Sequence, residues 1–282
     1  MKHTVIARMA CALVFASFAT GQDAHAQTWS AIDLGAVSAT ALNDAGQVVG
    51  HYTNASGALR AFSTDANGAG WHDLGTLGGS IAMAFGINNA GQIVGSSDTS
   101  AGVRTAFVTS ASSTAPTSLG TFGGTYSSAT SINNNGVVVI NYDVQGKTNA
   151  ASLNLSSSTL TNLTPGYLSG HYTLPGSASG RAVNDDGTIV GTLNNSCCTT
   201  AAYVFGRGSI NVDSMALYSR LSAINNHDLV VGATELARFE GSSYMGTYTQ
   251  AFAKALGTQT PTVLLGTLGG YSSEAFGVNN LG

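Results

Sequence analysis

Charge is scarce in this 282-residue chain: Asp, Glu, Lys and Arg together make up 9% of it, against about 25% in an average globular protein. Long helices, which carry Lys, Glu and Arg on their wet faces, are therefore excluded as the main architecture. Glutamate occurs only at Glu235, Glu240 and Glu274, which leaves little from which to assemble the paired carboxylates of a glycoside hydrolase. No stretch is apolar and long enough to cross a bilayer as a helix. Cysteine is nearly absent: Cys11 lies in an N-terminal apolar run, and Cys197-Cys198 are the only others. A nucleophile elbow, a phosphate-binding P-loop and a metalloprotease helix are all missing. Gly176-Ser177-Ala178-Ser179-Gly180 has its serines at the wrong positions for the first of these.

Glycine is abundant, with 36 residues, and the remaining fill is Ser, Thr, Asn and Val. That is the composition of many short strands joined by turns. At the N-terminus, Lys2 and Arg8 flank the apolar run Met9–Ala19, and Ala24-His25-Ala26 is a small-x-small site before Gln27. These features read as a secretory leader over residues 1–26, cleaved near Ala26. Arg8-Met9-Ala10 before Cys11 is a poor lipoprotein signal, so the expectation is release to the periplasm or the cell exterior. Removing Lys2, Arg8 and Asp23 with the leader leaves 8 basic against 13 acidic residues, a net charge of −5. Nothing in that balance attracts a phosphate backbone, and nucleic acid is excluded as a partner.

The stretch Asp73–Ser97, DLGTLGGSIAMAFGINNAGQIVGSS, is rewritten along the whole chain. Its Asn turn, Asn88-Asn89-Ala90-Gly91, recurs from Asn43, Asn133, Asn184, Asn225 and Asn279. Asn bonds its own backbone and Gly takes the left-handed position, so each copy reads as a hairpin turn. A second mark, small-Ala-aromatic, follows at Arg60-Ala61-Phe62, Thr105-Ala106-Phe107, Ala201-Ala202-Tyr203 and Gln250-Ala251-Phe252, with Ala150-Ala151-Ser152 as a degenerate copy. The interval from the Asn to the last residue of this mark is identical in units one to four, at Asn43–Phe62, Asn88–Phe107, Asn133–Ser152 and Asn184–Tyr203. In unit five, Asn225–Phe252, it is longer by an eight-residue insertion. The third mark, Leu-Gly-Thr-(Leu/Phe)-Gly-Gly, stands at 74–79, 119–124 and 265–270. Each unit thus holds four strands: before the Asn turn, after it, around the Ala-aromatic pair, and ending at Leu-Gly.

These marks resemble the HAF-repeat family of bacterial extracellular proteins over essentially all of residues 29–282. The His of that family's third segment is replaced here by Arg60, Thr105, Ala201 and Gln250. The resemblance implies secretion and a repeated β architecture, and brings no biochemical activity with it. Four-stranded sheets in series are stable when their faces stack, and a period of roughly 40–50 residues is that of propeller blades. The expected fold is an all-β propeller of four-stranded antiparallel blades in a single domain, 27–282, with about five complete units and a sixth that stops inside its Asn turn. A β-solenoid is the alternative, although its coils are usually much shorter than this period.

Strand alternation sends the linker into the first strand and the connection between strands two and three to the end opposite the Asn turns. Departures from the repeat cluster on those connections. The entry to unit four is seven residues longer than the norm and carries Tyr167, His171, Tyr172 and Arg181, and the insertion of unit five carries Glu235, Arg238, Glu240 and Tyr244. Tyr167, His171, Tyr172, Arg238, Glu240 and Tyr244 are the candidate ligand-binding residues, because loops bearing aromatic and charged side chains on a rigid scaffold are where binding usually resides. Cys197-Cys198 falls in a connection at the same end. Adjacent Cα atoms are about 3.8 Å apart, below the usual disulfide range, which leaves a strained vicinal bridge, an intermolecular link or two free thiols.

No metal or cofactor is expected. Asp185-Asp186-Gly187 lacks the EF-hand spacing and its distal Glu and reads as a plain turn, as does the turn holding His227. The function expected is a secreted, monomeric, non-enzymatic binding or surface-interaction scaffold for a glycan or protein ligand. The alternative is a secreted carbohydrate-active propeller enzyme, a hydrolase or lyase using acids with Tyr or His from the same loops. The leader reading has a direct check: N-terminal mass analysis of exported protein should give a chain beginning at Gln27, and an intact Met1 in the envelope fraction would overturn it.

Overall fold

The computed structural model describes residues 3–6, 29–164, 177–195, 199–209, 216–240, 243–258 and 261–281. Two short strands, β1 (His3–Ile6) and β2 (Trp29–Ile32), pair in parallel; the rest of the leader lies outside the described residues. Each repeat period then folds as one four-stranded antiparallel sheet. Sheet one is β3 (Val37–Leu42), β4 (Val48–Thr53), β5 (Leu59–Ser63) and β6 (His72–Asp73). Sheet two is β7 (Gly78–Ile87), β8 (Gln92–Thr99), β9 (Arg104–Ser110) and β10 (Thr117–Gly120). Sheet three is β11 (Ser127–Ile132), β12 (Val137–Val144), β13 (Lys147–Asn154) and β14 (Thr159–Asn162). Sheet four is β15 (Ser177–Val183), β16 (Ile189–Asn195), β17 (Thr199–Val204) and β18 (Gly208–Ser209). Sheet five is β19 (Ala216–Ile224), β20 (Leu229–Glu240), β21 (Ser243–Ala255) and β22 (Val263–Gly266). Strand order in every sheet follows chain order, and the outermost strands are only two to four residues long. Short outer edges offer little to a foreign strand. The one helical element among the described residues is a 3-10 turn, Ala66–Gly68; none is long and apolar enough to cross a membrane.

The sheets stack face to face, and the two faces of each sheet differ. One face is small: Val49 and Ala61 of sheet one meet Ile87, Ile93 and Phe107 of sheet two. The pattern repeats as Val94 and Ala106 against Ile132, Val138 and Ile140, then Val139 and Ala150 against Val183 and Ile189, then Val190 and Ala202 against Leu221, Val230 and Phe252. The Ala of the second mark is small because the next sheet's large side chains fill the space above it. Phe107 and Phe252 are fully buried there, each burial stabilising by about 1.5–3 kcal/mol. This serial stacking of four-stranded blades is a β-propeller.

Every first strand carries a bulge at one place, between Ala39 and Ala41 in sheet one and at the equivalent point in the other four. The residue of the second strand facing it is Gly in four sheets. A Cβ on Gly95 would lie 2.0 Å from the Met83 carbonyl oxygen, and Gly50, Gly191 and Gly232 meet the same 2.0 Å obstruction. β7 is the longest of the first strands and begins already at Gly78, because the Gly-Gly pair runs alongside Asp98 and Thr99 of β8.

The Asn turns join the sheets to one another. Asn88 is 3% exposed; its Oδ1 accepts from the N–H groups of Ala90 (3.1 Å) and Gln92 (2.9 Å), closing its own turn. Its Nδ2 donates to the carbonyl oxygen of Asn133, the equivalent residue of the next sheet, at 3.1 Å. The same bond runs from Asn43 to Asn88, Asn133 to Asn184, Asn184 to Asn225 and Asn225 to Asn279, at 2.8–3.2 Å. The amide thus closes a turn with one end and holds the neighbouring sheet with the other. Asn133→Ala should lower stability by about 2–4 kcal/mol, since it leaves buried backbone groups without partners. Asn133→Asp, which keeps the acceptor and loses the donor, should also destabilise. Urea unfolding measures both. An Ala variant within about 0.5 kcal/mol of the parent, the range of an inconsequential surface substitution, would remove the inter-sheet role.

Candidate functional site

The sheets have two ends. At the Asn-turn end, the second residue of each turn builds an outer row of contacts. The Asp44 N–H donates to Asn89 Oδ1, Asn89 N–H to Asn134, Asn134 N–H to Asp185, Asp185 N–H to Asn226 and Asn226 N–H to Asn280, all at 2.9–3.0 Å. Asp185 also accepts from Asn134 Nδ2 (2.9 Å) and Asn226 Nδ2 (2.7 Å). Burial pushes the Asp185 carboxyl up, but the backbone N–H and the two amides outweigh it and hold the group below the ordinary carboxylate range. The sequence reading of Asp185 as a plain turn residue is therefore incomplete: its charge is spent on the two flanking sheets. In the fifth turn Asp228 stands where the others have Gly, at φ 56°, and its carboxylate accepts from Asn184 Nδ2 (3.0 Å) and Arg207 (3.1 Å). His227 is exposed and touches the turn through its N–H, which donates to Asn225 Oδ1 at 2.9 Å.

The opposite end carries the insertion of unit five. It lengthens an existing hairpin: β20 and β21 pair from Leu229↔Ala255 to Glu240↔Ser243 with one register shift, between Arg238 and Phe239; they have 12 and 13 residues, against six to eight in the other second strands and five to eight in the other third strands. Near its tip Phe239 faces Tyr244 edge-on, with ring centroids 5.8 Å apart. Phe239, Tyr244 and Met245 are 50%, 59% and 53% exposed, and Arg238 and Glu240 are exposed beside them. The structure thus carries Arg238, Glu240 and Tyr244 on one hairpin tip, with Arg238 and Glu240 alternating in side with Phe239, the partner of Tyr244. Tyr167, His171, Tyr172, Cys197 and Cys198 lie outside the described residues. The strand that follows the unit-four linker begins at Ser177, which pairs with Asn194 at the hairpin-tip end of its sheet.

Two of the three glutamates, Glu274 and Glu235, both act on the Arg220 guanidinium and raise its pKa. Glu235 and Glu240 are five residues apart on one extended strand, about 17 Å, against the roughly 5–10 Å of glycosidase carboxylates. Glu235 accepts from Thr247, and Glu274 binds Arg220 Nε at 2.7 Å. Among the described residues no group of three or more His, Cys, Asp and Glu is placed to hold a metal ion.

A further constellation, missed by the sequence reading, lies on sheet one. Trp71 stacks on Phe62, with centroids 4.3 Å apart and planes 9° from parallel, and meets Tyr52 edge-on at 5.2 Å. Tyr52 donates its hydroxyl to Asp73 Oδ2 (2.8 Å), and Arg60 grips the same carboxylate through Nε (3.2 Å) and Nη2 (2.9 Å). Burial pushes Asp73 up, but Arg60, the Gly75 N–H and Tyr52 together hold it below its ordinary range. Behind Tyr52, a groove of about 250 Å³ is lined by Ser38, His51 and Thr53. Burial pushes the His51 imidazole down. The signal available in sequence was rarity, since Trp occurs twice in the chain and only unit one has it at this place.

The fold and its two ends define a propeller of repeated, non-identical blades. The chain is similar to the solved structure of a protein assigned as TolB from Agrobacterium tumefaciens, at 13% identity over 85% of this chain and 81% of that one, with a TM-score of 0.56. It is also similar to TolB from Acinetobacter baumannii, at 12% identity over 78% of this chain and 52% of that one, with a TM-score of 0.47. At such identities the first likeness speaks for the propeller fold alone. No family model and no curated protein matches the chain.

Asp185 and Asp73 give a pH signature. Their folded pKa values are depressed, so their stabilisation is complete above the unfolded carboxyl value near about 4 and is lost as pH falls through the folded values. The thermal midpoint should fall on acidification below about pH 4, and Asp185→Asn should flatten that slope while lowering the midpoint at pH 7. An unchanged acid limb in Asp185→Asn would show that the carboxylate carries none of it.

Proposed function

We propose that the chain is an exported, non-enzymatic propeller of the HAF-repeat type, freed of residues 1–26, that binds a protein or glycan partner through its hairpin-bearing end. The observation that supports this reading is the β20–β21 hairpin. Its strands stay paired almost to the tip, so it is a stiff arm rather than a slack loop, and a stiff arm loses little conformational freedom when it docks. At the tip it displays Phe239, Tyr244 and Met245 beside Arg238. Aromatic residues, Met and Arg are enriched where proteins meet, which favours a protein surface over a glycan as the ligand. The Asn-turn end, whose polar groups are committed to neighbouring sheets, has less to offer.

The experiment is a binding and turnover screen of the exported protein against envelope-protein and glycan arrays. A Tyr244→Ala variant should fold nearly as the parent does, since exposed substitutions usually stay within about 0.5 kcal/mol, and should lose the ligand the parent retains. Retained binding in that variant would remove the hairpin end from the function. Hydrolysis of a glycan by the parent would return the carbohydrate-active reading.

A further inference from the structure

Val49 and Ala61 of sheet one pack against sheet two. His51 follows Val49 by two residues and lies directly opposite Ala61, and both relations place it on the same side of sheet one, towards sheet two. Asn141 shows what a residue at that place does. It stands as far from Asn133 as His51 does from Asn43, and its amide spans to the next sheet. Nδ2 donates to the Gly180 carbonyl oxygen at 2.9 Å, while Oδ1 accepts from the Gly180 N–H at 2.8 Å. The remaining sheets carry Ser96, Thr192 and Ala233 there, all buried. Of the five sheets, only sheet one has an ionisable group at this inter-sheet position.

The His51 ring is half-buried, and its Nδ1 is closed off from solvent without a hydrogen-bond partner in the protein. A charged imidazole is a donor at both nitrogens, so protonation would leave a buried N–H with nothing to accept it. No counter-charge stands near. The strands packed on either side of β4, β3 within the sheet and β7 from sheet two, hold no titratable residue, and the 3-10 turn Ala66–Gly68 holds none either. On β5, Arg60 lies opposite Tyr52 on the other side of sheet one and is engaged with Asp73. Asp98 and Arg104 of sheet two bond each other at 2.9 Å on the side that Val94 turns to sheet three. His72 shares the side of His51, but it stands on the outermost strand opposite Ser63, in the row of Val49, and is engaged with Asp65 at 2.9 Å. Burial accordingly pushes the His51 imidazole below its ordinary value.

We propose that His51 makes the contact between sheets one and two proton-sensitive, so that acid surroundings raise the fraction of molecules in which sheet one has parted from sheet two while the other sheets stay stacked. Parting gives water access to both ring nitrogens, whereas the packed arrangement offers Nδ1 no acceptor. The contact keeps its full strength above about pH 6.5, the value of a free imidazole, and weakens as pH falls towards the lowered value of the packed ring. This limb lies above the carboxylate limb of Asp73 and Asp185. It does not depend on the binding proposed for the hairpin of sheet five.

The test is hydrogen exchange of the full chain at pH 7.5 and pH 5, corrected for the intrinsic rate at each pH. Opening of β3, β4 and β5 should increase between the two, by no more than about 30-fold, the ceiling for one imidazole with a free value near 6.5. Sheets three to five should not follow. His51→Asn, which installs the side chain that sheet three uses at this place, should abolish the response, and His72→Gln should retain it. A flat response in the parent overturns the proposal, as does an equal rise in all five sheets or a full response in His51→Asn. Proton NMR of the parent gives a reading that needs no variant: a His51 titration midpoint at or above about 6.5 overturns it as well.

Discussion

The amide of the first Asn in each turn is the constraint on which the rest of the structure depends. A hairpin turn needs an acceptor for its own N–H groups, and many residues supply one. A stack of sheets needs something more, a bond that sets how far each sheet sits from the next and how it is rotated. Asn supplies both from one planar group, because Oδ1 points back into the turn while Nδ2 reaches the carbonyl of the following Asn. Asp could close the turn but could not donate, and Gln would place its amide one bond too far. Because the amides of Asn43, Asn88, Asn133, Asn184 and Asn225 are almost fully buried, leaving one unpaired is costly, and this enforces the joint.

The apolar packing follows from that joint. With the spacing set, a face of Val and Ala must meet a face of Phe, Ile and Val, so both faces of the inner strands are buried and read as runs such as Val-Val and Ile-Val instead of strict alternation. Only the far ends of the hairpins escape the demands of stacking, and the long paired strands of sheet five extend there. Sheet one, whose aromatic side meets no neighbour within the four clusters, satisfies Phe62 by another means, with Trp71.

Much of this was legible in the sequence, and the limits have physical causes. Constant spacing between the Asn, the Ala-aromatic pair and the Leu-Gly segment pointed to four strands per unit and to the hairpin insertion, because paired strands fix distances along the chain. The inter-sheet role of Asn43, Asn88 and their equivalents was hidden by a sufficient local explanation, the turn itself. The clue was that the first position is Asn in all six turns while the second, third and fourth vary, and turn chemistry alone would tolerate Asp or Ser there. The bulge in each first strand was also hidden, since it appears in sequence only as the Gly that faces it on the next strand. The grouping of Arg60 and Asp73 with Trp71 was not picked out because Arg and Trp stand at these places in unit one alone, and a reading built on periodicity discards what does not recur. Arg238, Glu240 and Tyr244 were singled out for the converse reason, as an interruption of a pattern already recognised.

The joint also has a direction. Each unit gives a donor forward and receives one from behind, and the two halves of the connection lie within a single turn. Copying any whole period into the chain would therefore recreate a complete connection at both borders of the duplicate, with no compensating change elsewhere. Intervals as unequal as Asn184–Asn225 and Asn225–Asn279 already coexist, so the connection ignores what happens between one turn and the next. In an architecture of this kind the number of blades is free to change by recombination between copies, and each blade can acquire its own loops without renegotiating its place in the array.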